Sequence, residues 1–298
     1  MEKIKYSEVK VDYIEQLKKQ LISDQDILTL MKELNLTKED VFKNIIIFSN
    51  WLKQHKYCKQ CKGLKMCNRE HLGYRLDIDE NLEQSLSPCD HLKTKENLIA
   101  HKKNYLLCDL SDINLTTSLK SIDLANESSY YKDLVNIAKQ WVKELPNKGL
   151  YFYGGLGTGK TYLASAMCND LARKGYKVAF VNYPRLCSDI RNNVTEYDYV
   201  DSKLRKLRRA QVLVIDDIGA ESVTNYIRDD ILFPILDYRM EHKLRTIFTS
   251  NCDLNSLEKR MTISKSGEED VIKALRIIER IKTLCDVVAV TGTSRRSL

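Results

Sequence analysis

Eight consecutive residues, Gly154-Gly155-Leu156-Gly157-Thr158-Gly159-Lys160-Thr161, satisfy every position of the pattern G-x-x-x-x-G-K-S/T. Glycines at 154, 155, 157 and 159, with Thr158 among them, let backbone N–H groups turn inward and approach phosphate oxygens unobstructed. Lys160 can reach the β- and γ-phosphates, and the Thr161 hydroxyl can ligate Mg²⁺. A helix starting near Lys160 would add its positive N-terminal dipole. Farther on, the apolar run Val212-Leu213-Val214-Ile215 ends in Asp216-Asp217. Alone, that pair is equally a solvated strand end. Beside a phosphate loop, Asp216 would hold the Mg²⁺ shell and Asp217 would orient or deprotonate an attacking water. The chemistry implied is binding and hydrolysis of ATP.

A second set of reactive side chains lies upstream. Four of the nine cysteines fall between Cys58 and Cys89, namely Cys58, Cys61, Cys67 and Cys89. The C-x-x-C pair Cys58-Lys59-Gln60-Cys61 can aim two thiolates at one ion, and four thiolates would close a tetrahedral, structural Zn²⁺ site. His55, His71 and His91 are alternative ligands. A redox C-x-x-C is the rival, but no thioredoxin-like βαβ pattern surrounds it.

Both sets need elements to position them. Gly149–Tyr153 reads as a buried strand running into the glycines, and Thr161–Lys174 as the helix that follows. Strands are expected at Lys177–Asn182, Val212–Ile215 and Arg245–Ser250, and helices at Tyr130–Leu145, Pro184–Asn192 and Ser202–Arg209. This alternation predicts an α/β fold, a parallel sheet with helices on both faces. Upstream, the texture is helical: Asp12–Leu21 and Val41–Gln54 carry apolar residues at helical spacing, and Ser23 with Asp26 marks a further start. Thr37 with Asp40 makes a capping box. The chain therefore divides into a small, mainly helical domain over 1–93, a linker over 94–117 rich in Lys, Ser, Thr and Asn, and an α/β domain over 118–298.

Composition narrows the setting. The 298 residues are 43% hydrophobic and 30% charged, with no apolar run long enough for a bilayer and no secretory leader after Met1. A cytoplasmic protein without a membrane partner is expected. The net charge of +7 permits contact with nucleic acid without requiring it. Candidate DNA contacts are Arg185, Lys203, Arg205, Lys206, Arg208 and Arg209, although the run 203–209 is equally a solvated helix face.

Five stretches then carry a family resemblance. They are Tyr151–Thr161, the run Leu213-Val214-Ile215-Asp216-Asp217-Ile218-Gly219-Ala220-Glu221, Phe248-Thr249-Ser250-Asn251, and Ala274–Ile281 with Gly292-Thr293-Ser294-Arg295-Arg296. Together they resemble AAA+ proteins, and among these the bacterial replicative helicase loaders of the DnaC/DnaI group, over roughly the C-terminal three-fifths of the chain. The helical start and cysteine cluster resemble the N-terminal domain of the Firmicute DnaI type, which is zinc-bound and contacts the helicase. The resemblance implies an ATPase that delivers a hexameric replicative DNA helicase to single-stranded DNA, with initiation or primosome proteins as further partners and self-association through the AAA+ domain. Carried over by position, Asn251 is the polar sensor at a strand end. Arg280 is the finger reaching a neighbouring subunit's ATP, with Arg276 as rival. Arg295 touches ATP in its own subunit, with Arg296 as fallback. Most AAA+ members have Glu where this chain has Asp217, a side chain one methylene shorter, so slow hydrolysis is expected. A transposase-helper ATPase of the IstB type and a nucleotide-switched adaptor without DNA binding remain alternatives.

Overall fold

In the computed structural model, which describes residues 2–263 and 270–295, the run Val212–Asp216 is buried at every position. Such burial is the mark of a strand covered on both faces. The chain divides into two units, residues 1–98 and 99–298.

The first unit comprises α1 (Glu2–Ser23), α2 (Gln25–Glu33), α3 (Lys38–Lys43), α4 (Ile45–Lys59), an antiparallel hairpin of β1 (Tyr74–Ile78) and β2 (Gln84–Pro88), and α5 (Asp90–Ile99). Leu21, Ile27, Val41, Phe48, Trp51 and Ile78 are among its buried core residues. The expected capping box forms: the Asp40 N–H donates to Thr37 Oγ1 at 3.3 Å, and the Thr37 N–H to Asp40 Oδ2 at 2.9 Å. The single helix expected over Val41–Gln54 is instead broken at Asn44. That residue has φ −117° and ψ 36°, and its side-chain amide donates to the Asp40 carbonyl, a local bond that competes with the helical ladder.

The second unit runs β3 (Tyr105–Cys108), α6 (Asp112–Thr116), α7 (Ser129–Glu144), β4 (Gly149–Tyr153), α8 (Lys160–Arg173), β5 (Val178–Asn182), α9 (Tyr183–Asn192), α10 (Tyr197–Arg209) and β6 (Val212–Asp216). A π-helical stretch, Tyr226–Leu232, leads into α11 (Phe233–Glu241), then β7 (Arg245–Ser250), α12 (Leu254–Thr262), α13 (Val271–Leu284) and β8 (Cys285–Ala289). All strand pairings are parallel, in the order β3-β5-β6-β7-β4-β8. Alternation along the strands divides the core. Tyr151, Leu213 and Ile215 face one layer with α9 to α13, while Leu150, Phe152, Val212 and Val214 face the other with α7 and α8. Strand β5, which separates β4 from β6 in the chain, lies outside β6; the strand between them in space is β7.

The stretch 94–117, expected as a linker, needs correction. It holds the end of α5, the edge strand β3 and α6, and Tyr105–Cys108 pairs with β5. A four-residue strand offers too few positions for periodicity to declare itself. Among the described residues, no helix is long and apolar enough to cross a membrane.

Candidate nucleotide-binding site

Parallel strands place their carboxyl ends on one edge, where open α/β sheets form their crevices. From that edge β4 delivers the chain into Gly154, whose φ is 152° and where a Cβ would lie 2.1 Å from the Val290 carbonyl oxygen. Only glycine fits. Gly157 and Gly159 also take left-handed φ values of 76° and 96°, so the loop curls before α8 begins at Lys160. Lys160 as a whole is only 5% exposed. It donates to the carbonyls of Gly154 (2.9 Å) and Gly155 (2.7 Å) and to Asn251 Oδ1 (2.9 Å). Strand β7 thus brings its terminal amide to the phosphate-loop lysine, across 91 positions of sequence.

The acidic pair sits opposite. Asp216 Oδ1 accepts hydrogen bonds from Thr161 Oγ1 at 2.8 Å and Thr249 Oγ1 at 2.7 Å. Burial raises the Asp216 pKa above the ordinary carboxylate value, the Asp217 charge adds to this, and the Thr249, Thr161 and Asn182 hydrogen bonds offset part of it. Asp217 adopts a left-handed φ of 60°, and its N–H donates to Thr249 Oγ1 at 2.9 Å. The hydroxyl and carboxylate suited to ligating Mg²⁺ therefore already touch, so this donor set fits a hard cation.

A cleft of about 830 Å³ joins these groups. Leu156, Gly157, Thr158, Gly159, Lys160, Thr161, Asp216, Asp217, Asn251 and Arg295 line it. Gly154 and Gly155 contribute the carbonyls that hold Lys160. The Arg295 N–H donates to the Gly157 carbonyl at 2.8 Å, and its guanidinium lies 3.5 Å from the Tyr131 ring centroid and pairs with Glu127. The hydrogen bond from Arg295 holds the Glu127 carboxyl below its usual range. Arg296 lies outside the described residues.

Arg280 is not among the residues lining this cleft. Its Nε donates to Asp237 at 3.0 Å, and it lies 4.4 Å over the Phe233 ring, which Arg276 also covers at 4.5 Å. Of the candidate DNA contacts, Arg205 and Arg208 pair with Asp201 (3.2 and 3.4 Å), and Lys203 with Asp189. Those cations are partly neutralised by neighbouring helical acids.

Several cleft residues escaped the sequence. Asn114, Ile122, Asp123, Glu127 and Tyr131 form the wall facing the loop; nothing in their types signals this, because only folding brings 114–131 there. Asn182 closes β5, and its amide donates toward Asp216 Oδ2 (3.4 Å) and Asp217 Oδ2 (3.5 Å). A polar residue ending a buried strand on the same edge as the acids was the available signal.

The cysteines are arranged differently. The Cys61 N–H donates to the Cys58 carbonyl at 3.1 Å at the end of α4, and the Cys89 N–H to the Gly73 carbonyl at 2.8 Å. Backbone N–H groups of Gly73 and Arg69 lower the Cys67 thiol pKa. His91 Nε2 lies 3.2 Å from the Cys61 carbonyl. These contacts link the four segments. Among the described residues, however, no group of three or more His, Cys, Asp or Glu side chains is gathered closely enough to hold a metal. The expected four-thiolate set is not assembled. Each of three thiols has its own protein partner: Cys58 accepts from Arg69 at 3.2 Å, Cys61 donates to Gly63 at 3.5 Å, and Cys67 accepts the two N–H groups.

The six-stranded parallel sheet, its glycine loop and the acid pair define a P-loop ATP-binding protein with the AAA+ fold. The chain belongs to the family of IstB-like ATP binding proteins, whose model matches residues 78–298. It is similar to the replicative helicase loader DnaI of Bacillus subtilis, with 29% identity across 95% of this chain and 93% of that protein. It is also similar to the replicative helicase loader DnaC of Buchnera aphidicola, 28% identical across 70% of this chain and 86% of the relative. Among solved structures, a crystal structure of DnaI superposes with a TM-score of 0.54 and 32% identity, covering 66% of this chain and 99% of that one.

Proposed function

We propose that the protein is an ATP-dependent loader that delivers a hexameric replicative DNA helicase onto single-stranded DNA during initiation or restart of replication. One observation carries this reading: the likeness to the Bacillus loader spans 95% of the chain, and so takes in most of the 77 residues before the family model begins. A transposition helper, the alternative raised by the ATPase core alone, leaves that N-terminal part without a counterpart. Co-purification of the cognate helicase with the full chain, and its loss on deleting residues 1–98, is the expected result. Retained helicase binding after that deletion would remove the first unit from the docking role. Capture of double-stranded DNA without helicase would favour the transposition helper.

Bound Mg²⁺-ATP supplies a phosphoanhydride whose cleavage releases the loop from its ATP-bound grip. The loop N–H groups and Lys160 bind phosphate oxygens, exchanging the ammonium's carbonyl partners for charged ones. Thr161 and Asp216 would hold Mg²⁺, and Asp217 would orient the water, with Asn251 bonded toward the γ-phosphate. The Asn182 amide steadies both carboxylates. Arg280, carried on α13, would complete a neighbouring subunit's site and neutralise charge on the transferring phosphoryl group. Hydrolysis is slow in this reading, because Asp217 is short and its backbone is pinned to Thr249; Asp217→Glu is the variant that tests it, with a faster turnover expected. Cys58, Cys61, Cys67 and Cys89 would have to leave the separate partners they have in this structure and draw together to hold structural Zn²⁺ in the helicase-docking unit. Support for this comes from their clustering within 32 residues of sequence and from the contacts that link their four segments. Single-stranded DNA would lie along the basic residues of α9 and α10, primosome proteins would be further partners, and the protein would work in the bacterial cytoplasm.

A further inference from the structure

The wall of the cleft opposite the phosphate loop has no strand of the sheet behind it. Asn114 comes from α6, and Ile122, Asp123 and Glu127 from the stretch between α6 and α7. Something must hold that stretch at a fixed distance from the loop. One buried side chain makes a dense set of those contacts.

Asn169, on the third turn of α8, is fully buried and uses both ends of its amide. Its Nδ2 donates to the Asn114 carbonyl (2.7 Å), the Thr117 carbonyl (3.0 Å) and Thr117 Oγ1 (3.1 Å). Its Oδ1 accepts from the Tyr105 hydroxyl (2.6 Å) and lies 3.2 Å from His101 Nε2, which carries the proton in this geometry. Neighbouring positions on α8 reinforce the contact: Asp170 accepts the Leu119 N–H at 3.0 Å, and Arg173 donates to the Thr117 carbonyl at 2.9 Å. The first residues of the same helix are Lys160 and Thr161. Nine residues of α-helix span about 14 Å, so α8 acts as a rod with the phosphate site at one end and the wall's anchor farther along.

We propose that Asn169 is a positioning residue of the nucleotide site, which fixes the wall at 114–127 and so sets affinity for the nucleoside end of the ligand, not for its phosphates. The proposal rests on the cleft being the ATP site. An amide suits the task because it donates to two main-chain carbonyls while accepting from a hydroxyl and an imidazole. Aspartate cannot donate to those carbonyls, and alanine removes the link between α8 and them, although the Thr117 carbonyl keeps Arg173 and the Asn114 carbonyl keeps the Thr117 hydroxyl.

Binding of ATP and of inorganic tripolyphosphate, each with Mg²⁺, separates the two ends of the site in the full-length protein. Asn169→Ala is expected to weaken ATP about tenfold, equivalent to ~1.4 kcal/mol, while tripolyphosphate affinity stays at the wild-type value. Equal weakening of both ligands would show that Asn169 merely supports α8, and unchanged ATP affinity would show that the wall is held elsewhere; either overturns the proposal. Should Asn169→Ala fail to fold, Tyr105→Phe decides, since it removes one donor and keeps the ring. A smaller shift of the same ratio supports the proposal, and an unmoved ratio overturns it. A wild-type protein that binds neither ligand would instead overturn the nucleotide reading itself.

Discussion

The two units hold their reactive side chains by different means. In the second unit, the phosphate loop, Asp216 and Asn251 sit at the ends of neighbouring buried strands. Their bonds to one another are made by protein groups alone. In the first unit, the cysteines lie at a helix end, after a 3₁₀ turn and after a hairpin, all partly exposed, with only a small core beneath them. A site at the edge of a wide sheet inherits the rigidity of the sheet. A site strung across loops of a small unit depends on whatever cross-links those loops. On the zinc reading, the contrast makes the first unit the one whose stability should respond to zinc, and the second the one whose stability should not.

Hydrolysis gives the largest expected effect. Arg280→Ala should lower ATP turnover about a thousandfold, within the range known for arginine fingers, while nucleotide binding to the isolated subunit persists. Arg276→Ala should do far less, and the reverse order in a steady-state assay would reassign the finger. Next comes Lys160→Ala, expected to weaken ATP about a hundredfold, consistent with losing a preorganised charge at the phosphate site. Its first unit should melt as in the wild type.

Arg239 tests the rigidity of the sheet. It is fully buried with no carboxylate partner among the described residues, bonding the carbonyls of Leu207 (2.9 Å), Ala210 (2.8 Å) and Arg245 (2.6 Å) and Thr246 Oγ1 (2.9 Å). Burial lowers its pKa to about 9, which leaves it charged at neutral pH. Those carbonyls close α10 and join β6 to β7, so Arg239→Met should destabilise the second unit by about 3 kcal/mol through unpaired buried acceptors. Calorimetry resolving two transitions would check that only one moves.

For the first unit, removing metal with a chelator, or changing Cys58 and Cys61 to Ser, should lower its melting temperature by several degrees, on the order expected for ~1 kcal/mol or more in a small domain. Stoichiometric zinc by elemental analysis is the companion measurement, and its absence would break the contrast. The smallest effect concerns Glu127. Its carboxyl is held below the ordinary glutamate range by Arg295, so the pair's contribution is present above that ordinary range and is lost as pH falls through the lowered pKa. Exposure keeps it small. Glu127→Gln should flatten the acid limb of the stability profile slightly, which a thermal melt series across acidic pH would detect.

The cleft residues that the sequence singled out and those that it did not differ in kind. Lys160, Thr161, Asp216 and Asn251 were legible because each lies within a few residues of a strand end whose apolar run announces it. Strand β3 and the wall residues were not, because Tyr105–Cys108 is too short to show a period and its pairing partner lies some seventy positions away. The break at Asn44 was hidden by an apolar pattern that continues across it. The cysteines were legible as a cluster, but their spacing says nothing of the partners that hold each thiol.

By itself, the sequence determined the phosphate loop, the acid that faces it and the alternating strands and helices that make a parallel sheet. These follow from local chemistry: glycine's tolerance of left-handed dihedrals, the two-residue period of a strand and the N-terminal dipole of a helix. Tertiary structure alone decided that β7 stands between β4 and β6, that Asn251 reaches Lys160, and that Asn169 binds the stretch which walls the cleft. Those contacts join segments tens of residues apart, and only packing of both sheet faces brings them within hydrogen-bonding distance.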